Sequence, residues 1–306
     1  MLPLHDLSEP TRDLLVAGGL DPDAVAAVVR MAIDEDLAGG IDVTATATVP
    51  ADQRSRGEFV SRAAGVVAGL PVAVAVMEAV CGTAPPGGCT VELRAADGDR
   101  VTPGQLLAVV EGPTRAMLTA ERSALNLLCH MSGVATLTRR WADALEGTAA
   151  RVRDTRKTMP GLRALEKYGV RCGGGLNHRM GLSDAALVKD NHVLAAGGVA
   201  EAFAAVRRLE ATIAVEIEVD SLDGLAEAIT AGADVVLLDN FEPAQMVEAV
   251  RMRAEMNPAV ILEASGGLTI ESARRVGETG VDFIAVGELT HSARVFDIGL
   301  DLRAVV

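Results

Sequence analysis

Only three of the chain's 28 basic side chains are lysines, Lys157, Lys167 and Lys189, and they fall in one 33-residue window. A solvated surface seldom distinguishes lysine from arginine, whereas a site that needs a compact, rotatable ammonium does. Around them, residues 151–192 hold nine Lys or Arg against four Asp or Glu, in a chain of net charge −14. A charged helix face would have the same composition, but DTRKTMPGLR, GLNHR and VKDNH fall where strand ends are expected, which favours an anion-binding patch. His178 and Arg179 follow the triple glycine Gly173, Gly174 and Gly175, whose bare backbone can approach a ligand closely. Lys189 follows the apolar run ALV, where a partly desolvated lysine serves either as an anion ligand or as a Schiff-base nucleophile.

Two carboxylates, Glu218 in EIEV and Asp239 at the end of VVLLD, face the same region. Opposite a basic cluster they suit a bridging Mg²⁺ or sugar hydroxyls, with plain salt bridging to the cluster as the alternative. Ser265, Gly266 and Gly267 follow VILEA, and Gly287 follows FIAV, two glycine turns that expose N–H groups to a phosphate. The combined chemistry is a phosphosugar meeting an acidic co-substrate.

These residues need elements to hold them. The apolar runs ARVRD, AALVK, AVEIEV, DVVLLD, VILEA and FIAVG recur at βα-unit spacing, most followed by a helical stretch, which predicts parallel strands with right-handed crossovers. No G-x-G-x-x-G follows any strand, and only six strands are clear, so the expectation is α/β with an incomplete (β/α) barrel over residues 128–292. Before it, the pattern predicts helices, among them 22–36, then short β-rich runs from 57 to 112, a smaller α/β sandwich domain over 1–127. The alternation of Phe296, Ile298, Leu300 and Leu302 with polar residues predicts a strand returning 293–306 to that domain. A long helical pattern from Thr119 to Leu145 joins the two. DGDRVTPGQLLAVVEG resembles a lipoyl-carrier hairpin, but no lysine precedes Lys157, so no carrier site exists.

Composition narrows the setting. With 306 residues, 49% hydrophobic and 2% aromatic, the chain builds a globular core from Ala, Val, Leu and Ile. Its acidity excludes a general nucleic-acid binder. Four cysteines without paired spacing predict free thiols and a cytoplasmic location, the N-terminus has no secretory pattern, and the longest apolar run, 65–77, is too short for a membrane span.

The stretch DTRKTMPGLRALEKYGVRCGGGLNHRMGLSDAALVKDNH, 154–192, closely resembles the quinolinate phosphoribosyltransferase family, also called nicotinate-nucleotide pyrophosphorylases (carboxylating). The likeness extends to ERSALNLLCHMSGVAT at 121, EIEVDSL at 216, VVLLDN at 235, LEASGG at 262 and VDFIAVGELTHS at 281. It implies transfer of phosphoribose from phosphoribosyl pyrophosphate (PRPP) to quinolinate with loss of CO₂, in NAD synthesis, by a Mg²⁺-dependent homodimer. It further implies that Arg156, His178, Arg179 and Lys189 hold the quinolinate carboxylates, joined by Arg122 from a neighbouring subunit. Lys157, Glu218 and Asp239 would take PRPP and its Mg²⁺, with Ser265, Gly266, Gly267 and Gly287 around the 5′-phosphate and His291 nearby. Lys157, Lys189, Glu218 and Asp239 form the implied catalytic set. Leu176 replaces a lysine common in the GGG-x-NHR loop, and Cys129-His130 replaces a common Gln-Arg pair. A related enzyme using another base, a relative associated with molybdate transport, a Schiff-base aldolase using Lys189 and a non-catalytic phosphosugar sensor are the alternatives.

Overall fold

The computed structural model describes residues 4–82 and 88–304. In chain order its elements are α1 (Glu9–Ala17), α2 (Pro22–Leu37), α3 (Val43–Thr48), β1 (Arg54–Ser61), β2 (Gly65–Val66), α4 (Leu70–Cys81), β3 (Thr90–Leu93), β4 (Arg100–Val101), β5 (Leu106–Pro113) and α5 (Thr114–Ala144). There follow β6 (Arg151–Arg153), α6 (Arg163–Cys172), β7 (Ala186–Val188), α7 (Asp190–Ala196), α8 (Val199–Leu209), β8 (Val215–Val219), α9 (Leu222–Ala231) and β9 (Val235–Asp239). The last are α10 (Pro243–Met256), β10 (Ile261–Ser265), α11 (Ile270–Gly277), β11 (Phe283–Ala285), α12 (Glu288–His291) and β12 (Ile298–Ala304). Two compact units arise, one of 1–137, 159–174 and 293–306, the other of 138–158 and 175–292.

In the first unit an antiparallel sheet runs β12-β1-β5-β3, with β12 registering Ser61 against Ile298 and Ser55 against Ala304. The returning tail strand is therefore present. All twelve residues of α4 are buried, which is why its sequence is apolar without a helical period. The Asp97 carboxylate caps α4, accepting from the Gly69 and Leu70 N–H groups at 2.7 and 3.0 Å and from the Tyr168 hydroxyl at 2.6 Å. Segment 159–174, carrying α6, packs into this unit, although the boundaries above assign it to 128–292. Its backbone comes so close to α5 that a Cβ on Gly169 would lie 2.9 Å from the Met131 carbonyl oxygen. Lys167 is fully buried on α6, so its rarity does not mark an anion pocket. His130 Nε2 lies 2.8 Å from Glu166 Oε1, a pairing within the same unit. The four cysteines are free thiols.

The second unit is a parallel sheet in the order β6-β11-β10-β9-β8-β7. Among the described residues no pairing joins β6 to β7, so the barrel is incomplete, and an isolated parallel bridge between Arg153 and Leu176 extends it beyond β6. Consecutive parallel strands require crossovers, and α9, α10 and α11 supply them between β8, β9, β10 and β11. Among the described residues no helix is long and apolar enough to cross a membrane.

Candidate functional site

Side chains alternate along a strand, so Glu216 and Glu218 of β8, Leu237 and Asp239 of β9, and Glu263 and Ser265 of β10 share one face of the sheet. Registers Glu218 to Leu237, Leu237 to Glu263 and Asp239 to Ser265 place them side by side. Over this face and the strand ends lies a cavity of about 480 Å³. Arg156, Lys157, His178, Arg179, Lys189, Glu218, Asp239 and Ser265 all line it. Eight of the thirteen residues singled out in the sequence thus meet in one place.

The remaining five lie as follows. A Cβ on Gly287 would come within 3.0 Å of the Lys157 side chain and 3.1 Å of His291 Nε2, so these three are neighbours at the rim. The Thr290 hydroxyl donates to the Lys157 carbonyl at 2.9 Å, tying the Lys157 loop to α12. Gly266 has φ +92°, and a Cβ there would meet the Asn240 backbone nitrogen at 2.8 Å, so only glycine fits the turn beside β9. Gly267, at φ +58°, faces open space. Arg122 is exposed on α5 in the first unit and is not among the cavity-lining residues.

The cationic wall is built by loops. Asp154 is buried and accepts from the His178 N–H at 2.8 Å and the Asn177 amide at 2.6 Å, which holds the GLNHR loop beside β6. Arg179 Nη1 donates to the Ala185 carbonyl at 2.8 Å. Its guanidinium sits below the ordinary arginine pKa, through burial first and then the charge of Arg156. Neither Arg156 nor Arg179 forms an ion pair among the described residues, and the Nε of each is buried without a hydrogen-bond partner. Opposite them, Lys189 is ion-paired with Glu218. Asp239 accepts from the Asn240 amide at 2.8 Å and is only half-buried.

His178 and Glu263, both of which line the cavity, belong to a cluster with Glu216 and Arg153 that the sequence reading did not assemble. His178 Nε2 lies 2.7 Å from Glu216 Oε2 and 3.8 Å from Glu263 Oε1, while Arg153 Nη1 pairs with Glu263 Oε2 at 2.5 Å. Glu263 is fully buried, and burial, followed by the charge of Glu216, pushes its carboxyl up to about 7. The available signal was the alternation of EIEV, which puts Glu216 on the same face as Glu218, and a glutamate inside the apolar run VILEAS. Neither Glu216 nor Glu263 stands at the end of its strand.

Comparison with known proteins identifies the family. The quinolinate phosphoribosyl transferase N-terminal domain model matches residues 42–132 and the C-terminal domain model residues 134–301. The chain is 51% identical to the nicotinate-nucleotide pyrophosphorylase [carboxylating] of Mycobacterium leprae over 280 residues, 92% of this chain and 98% of that one. It is 36% identical to a mitochondrial quinolinate phosphoribosyltransferase [decarboxylating] of Nicotiana tabacum over 294 residues, 90% of this chain and 81% of that one. The solved nicotinate-nucleotide pyrophosphorylase of Francisella tularensis superposes with a TM-score of 0.86 at 36% identity, covering 92% of this chain and 96% of that one. With both domain models matched and half of all aligned positions identical to a full-length relative, the chain belongs to the quinolinate phosphoribosyltransferase family.

Proposed function

We propose that the chain transfers phosphoribose from PRPP to the ring nitrogen of quinolinate and releases pyrophosphate and CO₂, giving nicotinate mononucleotide for NAD synthesis. The observation that carries this reading is the pair Arg156 and Arg179, two guanidiniums in one cavity with no carboxylate partner among the described residues. Like charges held together in a partly desolvated pocket call for an anionic ligand, and a dicarboxylate accepts from both. Lys189 is committed to Glu218, which suits an anion-binding cation and not the free amine of a Schiff-base aldolase.

Glu218 and Asp239 offer hard carboxylate oxygens on adjacent strands, a donor set suited to Mg²⁺. Bound there with PRPP, Mg²⁺ would neutralise charge on the departing pyrophosphate. Lys157, exposed at the rim between Gly287 and His291, supplies a mobile ammonium to the same phosphates. The Gly266–Gly267 turn after β10 presents backbone to the 5′-phosphate.

The pyridine nitrogen attacks the ribose anomeric carbon as the bond to pyrophosphate breaks, through a transition state with oxocarbenium character that the carboxylates stabilise. The ring becomes a pyridinium. When the C2 carboxylate leaves as CO₂, its electron pair stays on C2 beside the positive nitrogen and then takes up a proton. The protein's task is to hold the carboxylates in place, and the pyridinium serves as the electron sink. A cytoplasmic homodimer in which Arg122 completes the partner's pocket is part of the same proposal. Incubation with quinolinate, PRPP and Mg²⁺ should yield nicotinate mononucleotide with equimolar CO₂ and pyrophosphate; absence of product with folded enzyme would overturn the reading.

A further inference from the structure

Cys81 closes α4, and Cys89 stands directly before β3, which lies at the edge of the first unit's antiparallel sheet. Gly82, at φ +69°, turns the chain out of the helix, and the Cys89 N–H donates to the Gly82 carbonyl at 2.9 Å. The main chain thus returns to within one residue of Cys81. On the sheet side, a Cβ on Gly112 of β5 would lie 2.7 Å from the Cys89 Cβ, so a side chain there would displace this cysteine. Both cysteines are buried, and the Cys81 S–H donates to the Cys89 sulfur. Two sulfurs already in hydrogen-bond contact need little movement to reach a disulfide bond of about 2.05 Å.

The pair is chemically unequal. Its hydrogen bond to Cys89, and then burial, hold the Cys81 thiol well above the usual range, so Cys81 keeps its proton. Accepting that bond holds the Cys89 thiol below its usual value, although burial and the charge of Glu78 oppose the shift. The Arg54 guanidinium, whose Nη2 donates to the Gly88 carbonyl at 3.0 Å, adds a positive charge that favours the Cys89 thiolate. The other two thiols move the opposite way: Cys129 is raised by burial, and Cys172 is pushed up to about 12 by burial and the charge of Asp97.

We propose that Cys81 and Cys89 form a redox-reversible dithiol site, in which Cys89 attacks a peroxide and Cys81 resolves the product as a disulfide that ties α4 to β3. The Cys89 thiolate attacks one peroxide oxygen, the O–O bond breaks, and the departing hydroxide leaves as water with the Cys89 proton, giving a sulfenic acid. The Cys81 sulfur then attacks the Cys89 sulfur. The S–S bond forms, the S–O bond breaks, and the hydroxyl group departs with the Cys81 proton as a second water. Each sulfur loses one electron, and the two peroxide oxygens gain them. A dithiol reductant returns both electrons and both protons. Neither cysteine lines the cavity, so the site acts on stability and is independent of the proposed reaction.

The test is mild oxidation of the native enzyme with hydrogen peroxide, followed by alkylation, digestion and mass spectrometry. The four free thiols should fall to two, the protein should lose the mass of two hydrogens, and one cross-linked peptide should join Cys81 to Cys89. Oxidation that begins at Cys129 or Cys172, or a disulfide between chains, would overturn the proposal. Two variants separate the roles of the pair. Cys81→Ser should leave Cys89 as a sulfenic acid that dimedone captures, whereas Cys89→Ser should leave Cys81 unlabelled; the reverse pattern would refute the stated order. Each variant places a hydroxyl in the core, so the wild-type protein supplies a measurement that does not depend on either. Its urea midpoint should shift upward on oxidation and return after treatment with dithiothreitol. An unchanged or lowered midpoint in the cross-linked protein would show that the bond does not tie the two elements.

Discussion

A guanidinium without a counterion, half-buried next to another, is stabilised most by whatever anion reaches both. Arg179→Ala should therefore weaken quinolinate by about 1.5–3 kcal/mol, the worth of a hydrogen bond to a charged group, and nicotinate far less, because nicotinate lacks the second carboxylate. Calorimetric titration of the two ligands measures the difference, and equal weakening would show that Arg179 reads neither carboxylate selectively. Lys189 is exposed and contributes no core packing, so Lys189→Met should abolish turnover with an unchanged thermal melt; retained steady-state rates would remove Lys189 from the site. Glu263 carries a pH signature. Its folded pKa of about 7 lies above the ordinary 4.5, so the folded state holds a proton that the unfolded chain releases between those values. Its contribution to stability is therefore fully present below about pH 4.5 and is lost as the pH rises towards 7. Glu263→Gln should flatten that part of the profile relative to wild type in urea melts at stepped pH, and parallel profiles would show that Glu263 ionises alike in both states.

Among the elements, those of the second unit were the most legible. The apolar runs of β9 and β10 end on Asp239 and Ser265, β7 is followed directly by Lys189, and Glu218 sits one residue before the end of β8, as the sequence pattern indicates. The destination of α6 was not legible. Its buried residues run from Leu165 to Val170 and include Glu166 and Lys167, and an amphipathic segment does not say which of two cores will receive it. The buried glutamates were hidden for a related reason, since only a fold supplies Arg153 and His178 as their partners. Helix α5 offers a test of close packing. A Cβ on Gly133 would lie 2.2 Å from the Arg294 carbonyl oxygen, with the main chain of Arg294 and Phe296 on that side. In an open helix Gly→Ala stabilises by about 1 kcal/mol, but here Gly133→Ala should destabilise by about 1–3 kcal/mol through overpacking. Urea denaturation midpoints read the sign, and a stabilised variant would show that the C-terminal segment yields easily.

For the whole molecule, the proposed sharing of sites between subunits makes a complementation test possible. Arg122→Ala and Lys189→Met proteins, each inactive alone, should recover activity when mixed under conditions of subunit exchange. About half the dimers are then mixed, and each has one intact site of two, so recovery should approach roughly a quarter of wild type. No recovery despite demonstrated exchange would place Arg122 in its own subunit's site or outside any site. The pairing of β1 with β12 has a consequence for biosynthesis. Ser61 waits for Ile298, 237 residues later, and at roughly 5–20 residues per second the ribosome needs roughly 10–50 s to deliver it. The second unit is fully translated by Ser292, before the first unit has its last strand. Throughout that interval the nascent chain carries a strand edge of unpaired N–H and C=O groups, the form most open to pairing with another nascent chain.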